Sequence, residues 1–500
     1  MAKKKQKGIA MLMIVIALAL TISVYYFSTV SLVDIKNDNT LNTQAELKRA
    51  KQALLDYALI NWRRDGEGGK IGKLPCPDYL AAANEGSQDG NCGTAYANAI
   101  GFLSWRELGI DVPKDSSGSC FLYIVSPSYK SSPVAALNPD SYGQIQIVDS
   151  VGGVIQGASP EDRPVAVIIA PGDALAGQAR VFDEDSICGL DYANISAYLD
   201  DDGTTDNAAL TAAANNVIDV LVNSYAGSDD WDNPNPLNDR LITITHEEFW
   251  DALDSTITDA AFDTRMDNLT EAIAMCLAAY GSNNGDHLPM PAALDLNSND
   301  YRNDFSYDDS GVFTSGFSGR LPYDISNANL ALPAPVVPPN DDNLFSNTVC
   351  DDIDLVTGVF NNINFKDDSG DDNGEFFDLW RNWKDHFFYA IAEAHKPDAV
   401  VAPCAANCIR VNGADYAGIV FFSGLKQAGQ QRYAPPFDSA LAADGIDDKD
   451  DVVNYLENGN AVLFPDNVGN QVYFPAPFPA APPSNDIMFC ITPAMTVNRC

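Results

Sequence analysis

Apolar and polar positions divide this chain into three kinds of segment. Ile9 to Phe27 (IAMLMIVIALALTISVYYF) runs without a charge. Nineteen residues at ~1.5 Å each make a helix about 28 Å long, near the hydrocarbon thickness of a bilayer. Lys3, Lys4, Lys5 and Lys7 precede it. Their charge predicts a cytoplasmic N-terminus and a single-pass chain with everything after the run outside. The run is long for the apolar part of a signal peptide, and no A-x-A-type cleavage site follows it. The second kind is helical spacing. Over Asn42 to Trp62, Leu47, Ala50, Leu54, Tyr57 and Ala58 form one stripe, while Lys48, Arg49, Lys51 and Gln52 face away. Arg265 to Tyr280 repeats the pattern with Leu269, Ile273, Cys276 and Leu277. The third kind is short β-rich runs between clusters of Gly, Pro, Asn and Asp, which read as antiparallel strands with long loops.

Several runs occur twice, in the same order. Pro164-Val-Ala-Val-Ile-Ile-Ala leads to Gly172, Gly177, Gln178 and Arg180; Gly418-Ile-Val-Phe-Phe leads to Gly424, Gly429, Gln430 and Arg432, at a constant offset of 252 residues. Tyr198-Leu-Asp pairs with Tyr455-Leu-Glu, and Phe121-Leu-Tyr-Ile-Val with Phe387-Phe-Tyr-Ala-Ile. A helix followed by Leu74-Pro-Cys-Pro77 pairs with a helix followed by Leu288-Pro-Met-Pro291. Blocks that keep their order read as a tandem duplication. The expected organisation is a leader 1–8, an apolar helix 9–27, its polar continuation 28–63, a first module 64–255 and a second module 256–500. The Pro-rich stretch 332–339 in the second module is expected to be extended. The fold class expected is α+β: a long N-terminal helix, membrane-spanning in its first half, carrying two antiparallel β-rich modules, each packed on a helix.

The leader carries a resemblance. Lys-Gln-Lys-Gly8 before an apolar helix start resembles type IV pilins and type II secretion pseudopilins. The Leu74-Pro-Cys-Pro-Asp78 turn, Gly101-Phe-Leu-Ser-Trp-Arg-Glu-Leu-Gly109 and Cys120-Phe-Leu-Tyr resemble a group of large pilin-like proteins. The resemblance implies cleavage between Gly8 and Ile9 by a prepilin peptidase, methylation of Ile9, and partnership with other pilin or pseudopilin subunits. It also implies residence in the inner membrane, then in a filament at the cell surface. Such pilins carry Glu at the fifth mature position; here it is Met13, and no acid appears before Asp34. A subunit with no neighbour beyond it has no need of that carboxylate, so Met13 favours a tip or initiating minor pilin. A surface or receptor ligand is then the natural further partner. The alternative is a single-pass membrane-anchored periplasmic binding protein outside any filament.

Composition narrows the picture. The chain has 500 residues, 46% hydrophobic, with a net charge of −39. That charge excludes nucleic acid as a main partner. All ten cysteines follow the apolar run, an arrangement that reads as up to five disulfides outside the cytoplasm. Short loops favour Cys76–Cys92, Cys404–Cys408 and Cys490–Cys500, with Cys120–Cys188 inside the first module. Three residues rather than two lie between Cys404 and Cys408, which argues against a thioredoxin-type site. His386 and His395 lie nearby, but no paired C-x-x-C knuckles accompany them. Asp367, Asp368, Asp371, Asp372 and Glu375 are a candidate Ca²⁺ loop. With Gly374 in the EF-hand glycine place the twelfth position is Trp380, so the EF-hand pattern fails and a solvated acidic loop is the plainer reading. Asp200-Asp-Asp-Gly203 and Asp444 to Asp451 are weaker versions. Arg180 and Arg432 are expected to cap strand ends or pair with a carboxylate, and Trp105, Trp380 and Trp383 to pack in cores. No nucleophile is spaced with a base, so no enzyme activity is expected.

Overall fold

The computed structural model describes residues 15, 16, 18, 32–63, 72–79, 84–94, 97–133, 135–181, 186–188, 194–208, 217–222, 237–257, 260–294, 296, 307–308, 317–323, 325, 344–345, 375–397, 399–400, 404, 407–433, 449–464, 472–473 and 485–500. The first part opens with helix α1 (Leu32–Arg63). Strands β1 (Ala99–Phe102), β2 (Leu122–Val125), β5 (Pro164–Ala170) and β7 (Arg240–Thr245) form an antiparallel sheet in the order β1-β2-β5-β7. Strands β3 (Ile145–Val148), β4 (Val154–Gln156) and β6 (Ile218–Leu221) form a second sheet, β4-β3-β6. In it β3 pairs antiparallel with β4 and parallel with β6. Helix α2 (His246–Ile257) follows and packs beside α1, where Lys51 Nζ meets Glu248 Oε1 at 2.6 Å.

The second part repeats this plan. Helix α3 (Ala260–Asn283) precedes β8 (Ser318–Arg320), β9 (Phe387–Ile391), β12 (Gly418–Phe422), β14 (Ile487–Ile491) and β15 (Val497–Arg499). These pair antiparallel in the order β15-β14-β12-β9-β8. Strands β10 (Ile409–Val411), β11 (Ala414–Tyr416) and β13 (Val472–Tyr473) repeat the small sheet, with one antiparallel and one parallel pairing about β10. Helices α4 (Glu375–Trp383) and α5 (Asn458–Leu463) complete the described elements.

Layering explains the strand sequences. Along β2, Tyr123 and Val125 join the core against α1, while Leu122 and Ile124 join the core against the small sheet. Along β12, Val420 and Phe422 face the α3 side, and Ile419 and Phe421 the small sheet. A strand covered on both faces has no solvent side to alternate with, hence the unbroken PVAVIIA and GIVFF runs. Helix α1 buries Thr43, Leu47, Ala50, Leu54 and Ala58 at steps of three or four. Tyr57, expected in that stripe, is only half-buried. Helix α3 buries Met266, Leu269, Ile273, Cys276 and Leu277 completely.

The expected fold class is corrected. Among the described residues no helix is long and apolar enough to cross a membrane, and the architecture is mainly short strands in several small sheets. Helix α1 starts at Leu32, and its sequence carries Asp34, Lys36, Asp38, Glu46, Lys48, Arg49, Lys51 and Asp56. A charge at the centre of a bilayer costs roughly 2.5–3.5 kcal/mol on insertion scales, so this helix is no membrane span. The single-pass inner-membrane placement falls with it. The run 9–27, apart from residues 15, 16 and 18, lies outside the described residues, as do Gly8, Ile9, Met13 and the stretch 332–339. The modules are also not purely antiparallel, because each carries a small sheet with one parallel pairing.

The turn after each leading helix is built alike. Asp78 and Phe102 exchange backbone hydrogen bonds at 2.8 and 3.0 Å; Ala292 and Arg320 do the same, both at 2.9 Å. Gly101 and Gly319 sit in the closest approach. A Cβ on Gly319 would lie 2.0 Å from the Ala292 carbonyl oxygen. The second-copy counterpart of Gly101-Phe-Leu103 is therefore Gly319-Arg-Leu321, which lacks tryptophan. We expect Gly319→Ala to destabilise the fold by about 1–3 kcal/mol in denaturant unfolding. Gly90→Ala, with nothing within 4 Å of the new Cβ, should change it by less than about 0.5 kcal/mol.

Candidate functional site

Each module carries an arginine clamp after its central strand, half-buried at Arg180 and fully buried at Arg432. Arg180 donates to Gly172 O (2.6 Å), Ala197 O (3.1 Å), Gln178 Oε1 (3.1 Å) and Ser119 Oγ (2.9 Å). Its guanidinium lies 4.9 Å from the centre of the Tyr198 ring. Arg432 donates to Gly424 O (3.1 Å), Asn454 O (2.6 Å) and Gln430 Oε1 (2.8 Å), 4.6 Å from the Tyr455 ring centre. The turns need glycine: Gly172, Gly177, Gly424 and Gly429 all have φ between 64° and 103°. The repeated G-x₄-GQ-x-R and Tyr-Leu pair are thus one device that fastens the loop after the central strand to the loop that carries the tyrosine.

In the second copy the clamp also reaches across to the first module. Arg432 Nη1 donates to Asp140 Oδ2 at 3.2 Å, and His386 Nε2 lies 3.2 Å from the same oxygen. Asp385 Oδ2 pairs with Lys449 Nζ. Asp385 Oδ1 accepts from Asn138 Nδ2 at 2.9 Å, which also donates to Asn382 O at 2.9 Å. Asn382 Oδ1 accepts from Leu137 N at 3.1 Å. All of these groups are buried. Two carboxylates therefore face a guanidinium and an ammonium, and a buried group of charges is tolerable only when balanced in this way. Burial would raise the Asp140 carboxyl, but Arg432, His386 and Lys449 outweigh it and hold it well below the usual carboxylate range. Asp385 is lowered too, with burial opposed chiefly by Lys449. Around this centre Tyr142 packs on Tyr433 with ring centres 5.1 Å apart, Lys426 Nζ donates to Tyr142 OH at 2.6 Å, and Leu425 touches both main cores.

The duplication shows what changed. Phe121 and Phe387 are equivalent, so Ser119-Cys120 in the first copy stands where Asp385-His386 stands in the second. There Cys120 is bonded to Cys188. One copy ties this corner with a disulfide; the other uses it to grip its neighbour.

A second repeated feature is a pair of buried carboxyls. Asp200 Oδ2 accepts from the backbone N–H groups of Asn238 (2.6 Å) and Asp239 (2.7 Å), and Asp239 Oδ2 accepts from Asp200 N (2.9 Å). Glu457 Oε2 accepts from Asn485 N and Asp486 Oδ2 from Glu457 N, both at 3.2 Å. Asn238 Nδ2 and Asn485 Nδ2 hold the carbonyls of Asp173 (2.7 Å) and Leu425 (2.8 Å). Burial pushes Asp200 up to about 6, against the pull of its backbone donors. Asp239 is raised well above the usual range by burial and then by Asp200, and Asp486 by burial and then by Glu457.

The sulfur pairs are Cys76–Cys92, Cys120–Cys188, Cys404–Cys408 and Cys490–Cys500. Cys276 is also disulfide-bonded. Of the candidate Ca²⁺ loop, Asp367, Asp368, Asp371 and Asp372 lie outside the described residues, and Glu375 opens α4. Trp380 and Trp383 are fully buried, whereas Trp105 is partly exposed. Asp140, Asn138, Asp385 and Lys449 were not legible as a site, since they carry no shared motif. The repeated Arg432 and the singled-out His386 were the available signals. Compared with models of known protein families, with characterised proteins and with solved structures, the chain matches none.

Two tests follow from this geometry. Asp140→Ala strands buried positive charge and should lower stability by about 3–5 kcal/mol. Combined with Arg432→Met the loss should be smaller than the sum of the two single losses; strict additivity would show that Asp140 does not act through Arg432. Asp200 has a raised folded-state pKa, so the folded chain holds more protons than the unfolded one between about pH 4 and 6, and this group's contribution declines as pH rises through that window. Asp200→Asn keeps the acceptor for both backbone donors and removes the repulsion. It should flatten the stability slope across that window and leave the variant more stable than the parent at pH 7 by about 1–3 kcal/mol.

Proposed function

We propose that the protein is a structural subunit of a type IV pilus or type II secretion-type filament, of the minor pilin or pseudopilin kind, placed at the tip or used in initiation. The observation that carries this reading is the joint: two copies of one module are held as a single bulky head by buried charges around Asp140 and Arg432. A head of two modules is hard to repeat along a closely stacked shaft and is easily carried at an end. Four disulfides among the described residues suit an oxidising exterior. The Gly8/Ile9 leader pattern and Met13 support the same assignment from the sequence. A terminal head is also well placed to meet a surface, so an adhesive role belongs to this reading.

The test is to label the head and image sheared filaments. Label confined to filament ends, with a mature terminus at methylated Ile9, is the expected result. Label along the whole shaft refutes the tip position. An intact Met1 in the filament-associated protein refutes the processed leader.

A further inference from the structure

The sequence offered Cys404, Cys408 and two nearby histidines without a metal-binding spacing, but the fold selects one of those histidines. His395 ends the turn that follows β9, and Cys408 immediately precedes β10. Ala394 N donates to Asn407 O at 3.1 Å, and Leu288 N donates to His395 O at 2.8 Å, which fixes both segments. The ligand atoms of His395, Cys404 and Cys408 all lie within 4.8 Å of one another. His395 Nδ1 sits 2.8 Å from Asp286 O. A carbonyl can only accept, so Nδ1 carries a proton, and in the neutral tautomer Nε2 is the lone pair. That Nε2 is buried and has no hydrogen-bond partner among the described residues, an arrangement that costs free energy unless a proton or a metal comes to it. The Nδ1–H to backbone carbonyl bond is the usual outer support of a metal-binding imidazole.

We propose that reduction of the Cys404–Cys408 disulfide converts this corner into a binding site for a thiophilic divalent cation of the zinc class, held by His395 Nε2 and the two sulfurs. A dithiol reductant breaks the S–S bond, gives two electrons and two protons to the sulfurs, and becomes a disulfide itself. Binding then displaces both thiol protons and forms two metal–sulfur bonds and one metal–nitrogen bond. Two thiolates balance the dication, so the site is net neutral, with His395 and Cys408 buried and Cys404 partly exposed. Three protein ligands leave a fourth tetrahedral position for water. Thiolate and imidazole donors select zinc-class ions over Mg²⁺ or Ca²⁺. Oxidised, the same residues form a closed disulfide with no sulfur to offer, so metal loading reports the thiol state. The inference does not depend on the filament reading.

The experiment titrates Zn²⁺, and Co²⁺ as a spectroscopic probe, into the full chain after reduction by a dithiol and removal of excess reductant. A Cys404→Ser/Cys408→Ser chain reduced in the same way accounts for the other sulfurs. We expect one more Zn²⁺ per chain in the parent than in that variant. Thiolate-to-Co²⁺ charge-transfer absorption should appear in the difference, and affinity should fall by roughly tenfold or more in His395→Ala. Equal stoichiometry in the two reduced chains, or an unchanged affinity in His395→Ala, overturns the proposal. If reduction unfolds the chain, oxidised Cys404→His/Cys408→His presents the same three positions with the remaining disulfides intact. It must then bind Zn²⁺ and lose that binding with His395→Ala, and failure to do so refutes the site equally.

Discussion

A guanidinium held under a tyrosine ring, donating into two loop carbonyls, is the constraint on which both halves of this molecule depend. The central strand of each module is covered on both faces, so its chain must leave through a loop whose carbonyls are turned inward. Gly172 O and Gly424 O are such groups, and buried carbonyls without donors are costly. Arg180 and Arg432 each supply several donors from one rigid plane. The aromatic face of Tyr198 or Tyr455 offsets part of the desolvation. This explains why the glycines, glutamine, arginine and tyrosine recur together while the loops around them diverge.

The two copies then solve the next problem differently. In the first, Ser119 accepts from the clamp and Cys120 leads into a disulfide. In the second, Asp385 and His386 take those places; Lys449 pairs with Asp385, and Asp140 of the first module sits against His386 and Arg432. A covalent tie needs no partner module; a charge cluster needs one, because removing any member leaves a buried charge unpaired. The second copy is therefore finished by the first. A duplicated chain can become one head in this way.

The sequence carried the repeat because identical backbone demands at Gly172 and Gly424, or at Gly177 and Gly429, admit few residues. It carried the stripes of α1 and α3 for the same kind of reason, since burial on one face enforces a spacing. It did not carry the small mixed sheets: β6 and β13 are short, and their parallel pairing joins residues far apart in the chain. Asp140 was invisible because an isolated Asp in Asn-Pro-Asp-Ser reads as a turn residue. Its partner Arg432 lies 292 residues away. The expected membrane-spanning helix rested on the run Ile9 to Phe27 and the lysines before it, whereas the first helix that the structure describes, Leu32–Arg63, is charged along its length.

Carboxyls of opposite tendency set the pH range of the assembly. Asp140 and Asp385 are held low by the cations beside them, so the joint contributes fully above the ordinary carboxylate range and is lost as acid protonates them. Asp200, Asp239 and Asp486 are raised, so the folded state is favoured while they keep their protons and is taxed as they ionise. The two groups pull in opposite directions on the acid side of neutrality. With a net charge of −39, protonation of exposed carboxyls also relieves general repulsion as pH falls. These terms together place the most stable condition below neutral pH and above the point at which Asp140 loses its charge. In that range the clamp, the joint and the carboxyl pairs are all satisfied at once.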